Sequence, residues 1–102
     1  MEERTYLIVV QPEAEIDIGN IVHYIAVELE NPPAAYRIGV AIYDAIESLD
    51  IMPERYKIWP SEPWRSRNIH SLPVKNFNIL YHVNKHTMTV SILRVFYGRQ
   101  DI

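Results

Sequence analysis

Apolar residues recur along this chain in changing rhythms, and each rhythm predicts a different element. Thr5 to Val10 is a run of β-branched and aromatic residues that stops at Gln11-Pro12, which reads as a strand. The spacing then changes to three and four. Ile18, Ile21, Val22, Ile25 and Leu29 share one side of a helix over residues 13–29, with Glu13, Glu15 and Asp17 near its positive end. Pro12 suits its first turn. Asn31-Pro32-Pro33 must interrupt it, because proline lacks the amide donor a helix interior needs, yet the same residues suit the opening turn of a second helix. Ala35, Ile38, Ile42, Ala45 and Leu49 give that second helix the cleanest stripe in the chain. So short a connection folds the two helices back as an antiparallel αα-hairpin.

Residues 53–66 lose all rhythm. Pro53, Pro60, Pro63, Trp59 and Trp64 predict a long ordered loop. Strand chemistry then returns, first over residues 67–72 and then over 77–83, where Phe77, Ile79, Tyr81 and Val83 share a face. Asn84-Lys85-His86 makes a turn into a last strand from Thr87 to Phe96. Simple alternation there puts Met88, Val90, Ile92 and Phe96 on one side, and Thr89, Ser91, Leu93, Val95 and Tyr97 on the other. The order is β-α-α-β-β-β. It predicts an α+β fold, one domain over residues 1–102, with the αα-hairpin on one face of a small, mostly antiparallel sheet whose other face stays partly open.

Composition narrows the function classes. The 102 residues are 48% hydrophobic and 23% charged and contain no cysteine, which excludes disorder, a disulfide scaffold, thiol nucleophiles and cysteine-based zinc sites. The longest apolar runs fall far short of the ~20 residues of a membrane span. The acidic start, Met1-Glu2-Glu3-Arg4, leads into only a short apolar stretch and does not read as a signal peptide, so the expected location is the cytoplasm. Net charge is −3, but it is unevenly spread: residues 1–54 carry 11 acidic and 2 basic side chains, and residues 55–102 carry 2 acidic and 8 basic. A polyanion or an acidic partner segment would dock on the basic half; two solvated helices and an exposed sheet give the same tally.

Several segments, taken in order, resemble the RelE/ParE family of bacterial toxins. They are Pro12-Glu13-Ala14-Glu15-Ile16-Asp17-Ile18, then Tyr24-Ile25-Ala26 followed by Asn31-Pro32-Pro33-Ala34-Ala35, then Ala45-Ile46-Glu47-Ser48-Leu49 with Pro53. The fullest match is Leu72-Pro73-Val74-Lys75-Asn76-Phe77-Asn78-Ile79-Leu80-Tyr81-His82-Val83, joined to Val90 through Ile102. The resemblance implies a toxin of a type II toxin–antitoxin pair, held inactive by an antitoxin whose extended or helical tail wraps it. RelE-like members cleave mRNA in the ribosomal A site, whereas ParE-like members poison DNA gyrase. Fold does not choose between them.

Metal-free RNA cleavage would need a base for the 2′-hydroxyl, an acid for the leaving oxygen and a cation for the phosphate. The RelE-like group carries an arginine inside the third strand where this chain has Asn78, a departure that weighs against a nuclease. Alternation sets Asn78 and His82 on the face opposite Phe77, Ile79 and Tyr81, where such a site would lie. Arg99 matches a family basic position near the end of the last strand. Beside it, Tyr97 would stack on a base or carry a proton, or merely pack. The nuclease reading therefore rests on Arg99, Tyr97 and His82. Arg65 and Arg67, close after Trp64, form the best basic–aromatic cluster, for a polyanion or an antitoxin tail; a loop-anchoring tryptophan with two solvated arginines gives the same pattern. Arg94, alternating with Ile92 and Phe96, fits a pairing with an acidic helix residue.

His82 and His86 are four apart, but on a strand entering a turn that spacing does not converge, so no metal site is expected. Glycines at 19, 39 and 98 form no phosphate loop, and no cofactor is expected. The reading favoured is a gyrase-directed toxin working by protein contact. A ribosome-dependent mRNA endonuclease and a non-toxic antitoxin-binding module are the alternatives. The expected partners are a cognate antitoxin, gyrase or the ribosome with its mRNA and, through an uncovered apolar groove, a second copy of the chain; no membrane partner is expected.

Overall fold

A computed structural model describes residues 5–98. The elements are β1 (Leu7–Val10), α1 (Pro12–His23), α2 (Pro32–Glu47), β2 (His70–Val74), β3 (Phe77–Asn84) and β4 (Thr89–Tyr97). The strands form one sheet in the order β1-β4-β3-β2. β1 runs parallel to β4, and the other two pairings are antiparallel. The expected element order and the hairpin of helices on one face are present.

α1 does not run to Leu29 as a regular helix. After His23 it widens into a π-helical turn, Tyr24–Glu28, closed by the Leu29 amide donating to the Tyr24 carbonyl at 3.0 Å. Such widened turns rotate the side chains that follow and often mark functional surfaces. Asn31 then caps α2, its side-chain oxygen accepting from the Ala34 amide at 3.2 Å, with Pro32 and Pro33 needing no such acceptor.

The main core lies between helices and sheet. Ile18, Ile42, Leu49, Ile79, Tyr81, Val90 and Ile92 are among its buried members. The Tyr81 ring stacks on His70 with centroids 5.2 Å apart, and its hydroxyl donates to the Pro53 carbonyl at 2.6 Å. Burial pushes that phenol far above its ordinary pKa. His70 Nδ1 lies 2.7 Å from the Tyr56 carbonyl, which can only accept, so Nδ1 carries the proton.

β4 departs from simple alternation. Leu80 on β3 faces Arg94, but Tyr81 faces Ile92, so Leu93 is an extra residue on β4. A bulge of one residue shifts everything beyond it to the opposite face. Val95 therefore joins Ile92 in the main core, and Tyr97 packs edge-on against Phe77 at 5.5 Å. Phe96 and Leu93 lie on the other face. The expected grouping of Phe96 with Ile92, and of Val95 and Tyr97 with Ser91, is reversed at this end.

That other face is less open than the pattern predicts. The loop between α2 and β2 folds over it and builds a second, smaller core in which Trp59, Ile69 and Leu80 are buried, with Trp64, Leu93 and Phe96 packed around them. Trp59 meets Phe96 edge-to-face at 5.4 Å. Turns occupy Ser61 to Asn68, so β2 begins at His70 rather than at Arg67.

Candidate functional site

Four of the seven described cations of the basic half hold the chain to itself. Arg55 donates to the carbonyls of Ile51 at 2.6 Å, Met52 at 3.0 Å and Ser48 at 3.2 Å, pinning the turn after α2. Lys85 pairs with Glu54 at 3.3 Å, and Arg65 with Glu62 at 3.8 Å. Arg94 turns off the sheet to Asp17 of α1, with Nε to Oδ2 at 2.7 Å and Nη2 to Oδ1 at 3.0 Å. Asp17 Oδ2 also accepts from the Val95 amide at 2.9 Å, so one carboxylate closes the stretch of β4 that β1 is too short to pair. Burial alone would raise the Asp17 pKa, but the hydrogen bonds from Arg94 and Val95 outweigh it and hold the carboxyl below its ordinary value. Lys57, Arg67 and Lys75 have no ion-pair partner among the described residues.

The residues named for RNA cleavage do not converge. His82 sits opposite Ser91 on the face away from the helices, while Tyr97 sits opposite Phe77 on the helix side. Five residues of β3 separate the two positions, about 17 Å of strand. Arg99 lies outside the described residues. Asn78 has a structural partner: its Nδ2 donates to the Gly98 carbonyl at 2.6 Å, and the Gly98 amide donates to the Asn76 carbonyl at 2.6 Å. Gly98 adopts φ of 74°, a left-handed backbone that favours glycine, and so turns the chain out of β4 at that clamp. Trp64 and Trp59 line a small cleft of about 260 Å³ with Phe96 and Arg94, whose guanidinium is already held by Asp17.

The larger feature lies at the opposite corner. The π-helical turn, the start of α2 and the β2–β3 end of the sheet enclose a groove of about 750 Å³. Ile21, Tyr24, Ile25, Leu29, Ile38, Phe77 and Tyr97 supply its apolar walls. Its polar lining consists of Asn20, Asn31 and Asn76, and no charged side chain among the described residues lines it. Tyr24 and Leu29 are each 55% exposed there, so the groove holds contiguous apolar surface against water. In the sequence Ile25 and Leu29 read as the tail of an amphipathic stripe to which Tyr24 does not belong. The widening after His23 and the bulge in β4, which bring Tyr24 and Tyr97 to one groove, have no signature in simple periodicity.

No helix among the described residues is long and apolar enough to cross a membrane. No group of three or more metal-binding side chains occurs among them either.

Comparison with solved structures agrees with this architecture. A chromosomal ParDE toxin–antitoxin system from P. aeruginosa superposes with a TM-score of 0.71 at 19% identity, covering 93% of this chain and 98% of that one. The toxin–antitoxin complex RelBE2 from Mycobacterium tuberculosis gives 0.68 at 24% identity, covering 98% of both. A search of curated proteins gave no match. The model of the ParE toxin of the type II toxin–antitoxin system parDE matches residues 8–102, and the chain therefore belongs to the ParE toxin family.

Proposed function

We propose that this chain is a toxin that acts by contact with DNA gyrase, and that a cognate antitoxin neutralises it by laying the apolar side of a tail segment into the Tyr24–Tyr97 groove. The separation of Tyr97 from His82 carries the choice of contact over cleavage. General acid–base catalysis needs its groups within about 3 Å of the same reacting atoms, and these two side chains lie on opposite faces of the sheet. Two further features support the reading. Asn78 supplies no charge and is spent on the Gly98 clamp, and Arg94 is neutralised by Asp17. The groove, lined by no charged side chain among the described residues and rimmed by exposed tyrosine and leucine, suits an amphipathic helix or extended tail rather than a polyanion.

The test is a supercoiling assay with purified gyrase and the full chain at micromolar concentration. Lost supercoiling with trapped, cleaved DNA, reversed by the antitoxin, is the expected result. An inert outcome with gyrase, together with cut mRNA on translating ribosomes, would replace this reading with the nuclease. Harmless overexpression without antitoxin would replace it with a binding module that has no poison.

A further inference from the structure

Helix α2 has a second apolar surface, distinct from the core and adjoining the groove only at Ala34 and Ile38. Ala35, Ile42 and Ile46 are buried beneath it, which at 3.6 residues per turn sets Tyr36, Arg37, Val40, Tyr43, Asp44 and Glu47 on the outer side. Tyr36 is 74% exposed, Val40 41% and Tyr43 42%. Outer positions of a surface helix are ordinarily charged or polar, and neither valine nor tyrosine is there for helix propensity. The groove reaches α2 only through Asn31, Ala34 and Ile38, on another side of the helix.

Two of the charges on this outer face, Arg37 and Asp44, are placed for self-pairing; Glu47 lies at its C-terminal end and Lys75 borders it. Arg37 lies toward the N-terminal end and Asp44 toward the C-terminal end, two turns apart, or about 10 Å along the axis, too far to meet each other. Neither has an ion-pair partner among the described residues. A second α2 packed antiparallel, with the two-fold axis beside Val40, puts valine on valine. It also sets each Arg37 beside Asp44 and the Tyr43 ring of the other copy. Parallel packing would instead set Arg37 against Arg37, and would align the two helix dipoles unfavourably. The contact is isologous, so it closes at two chains.

We infer that the outer face of α2 is a self-association surface, on which a second copy of this chain packs antiparallel through Tyr36, Val40 and Tyr43. A single pair of helices buries less than the roughly 1,200 Å² typical of a stable interface, so the dimer is weak and concentration-dependent. The inference goes beyond the gyrase reading, and its residues lie outside the groove, so each can fail without the other.

Sedimentation velocity on the purified full chain, across roughly 5–500 μM, reads the association directly. The chain should shift from monomer to dimer within that range. Val40→Glu should leave it monomeric, and Arg37→Asp and Asp44→Arg should each weaken the dimer about tenfold or more. An equal mixture of those two charge variants should recover it as a heterodimer, because both cross-contacts are then of opposite sign. Far-UV circular dichroism checks that each variant folds. If Val40→Glu does not fold, the charge-exchange mixture alone decides. A monomer at every concentration overturns the inference. So does a dimer that ignores these substitutions and dissolves on Tyr24→Ala, which would place the contact in the groove.

Discussion

The two faces of the sheet are covered by different means, and the difference separates structure from recognition. On one side two helices with regular stripes bury Ile18, Ile42, Ile79 and Ile92 but stop short of one corner, leaving Tyr24, Leu29 and Tyr97 around a largely apolar groove. On the other side an irregular, proline-rich loop presses Trp59 and Trp64 onto Leu80, Leu93 and Phe96. Arg65 and Arg94 lie at the margins of this second face and are ion-paired there. The face with the more reactive side chains is thus the one committed to holding the chain together. The face with the blander side chains carries the groove proposed for the antitoxin.

That contrast breaks most readily at Trp59. Trp59→Ala removes a buried indole and its edge contact with Phe96, and should cost about 3–5 kcal/mol of folding stability. Urea unfolding followed by circular dichroism measures it. A loss below about 1 kcal/mol would mean that the loop is not a packed cover.

The groove predicts the opposite signature. Tyr24→Ala and Leu29→Ala remove exposed side chains, so each should change stability by less than about 0.5 kcal/mol. Each should nevertheless weaken antitoxin binding by about 10- to 100-fold if the tail seats there as a hot spot, an effect near 2 kcal/mol. Titration calorimetry with the antitoxin reads this, and unchanged affinity in both variants would move the tail elsewhere.

Asp17 ties the two faces together, from α1 to β4. Asp17→Asn keeps the shape but loses the charge that Arg94 and the Val95 amide bind. The expected loss at pH 7 is about 1–2 kcal/mol, moderated because Arg94 is half-exposed and screened by solvent. The carboxyl is held below its ordinary pKa in the folded chain. Its contribution is therefore fully present above the unfolded value, about 4, and disappears as pH falls through the lower folded value. Wild type and Asp17→Asn should differ in urea midpoint at pH 7, with the gap narrowing as pH falls below about 4. A gap that stays constant over that interval would remove the ion pair as its cause.

Much of this architecture is legible in the chain because its signals are local. The Ala35–Ile38–Ile42–Ala45–Leu49 stripe and the Asn31-Pro32-Pro33 break fix the helix hairpin without reference to anything distant. The parallel pairing of β1 with β4 is not local, and neither is the collapse of a loop without period onto the far face of the sheet. The bulge is an intermediate case. Strict alternation puts Arg94 in the middle of an otherwise apolar side, between Ile92 and Phe96, and that misplaced charge is the one visible trace of the extra residue. The expectation that Arg94 meets an acidic helix residue coincides with the Asp17 pair, although the face from which it was argued is the wrong one. The groove escapes pattern reading because it is made by two irregularities, the widened turn of the first helix and the bulge of β4, acting at a distance of some seventy residues.

The smallest expected effect is at His82, and it bears most directly on function. His82 is partly exposed, makes no side-chain hydrogen bond or ion pair among the described residues, and faces Ser91 rather than Tyr97. A general base at this position would have to act without the tyrosine, which packs on Phe77 across the sheet. His82→Ala should therefore leave stability within about 0.5 kcal/mol of wild type, and leave growth arrest and gyrase inhibition unchanged. If His82 were instead the base of a nuclease, the same substitution would lower mRNA cleavage by about 10²-fold or more. The readout is single-turnover cleavage on translating ribosomes, run beside the supercoiling assay. A silent substitution in both leaves the far face to structure, whereas a cleavage defect of that size in a stably folded variant would return it to chemistry.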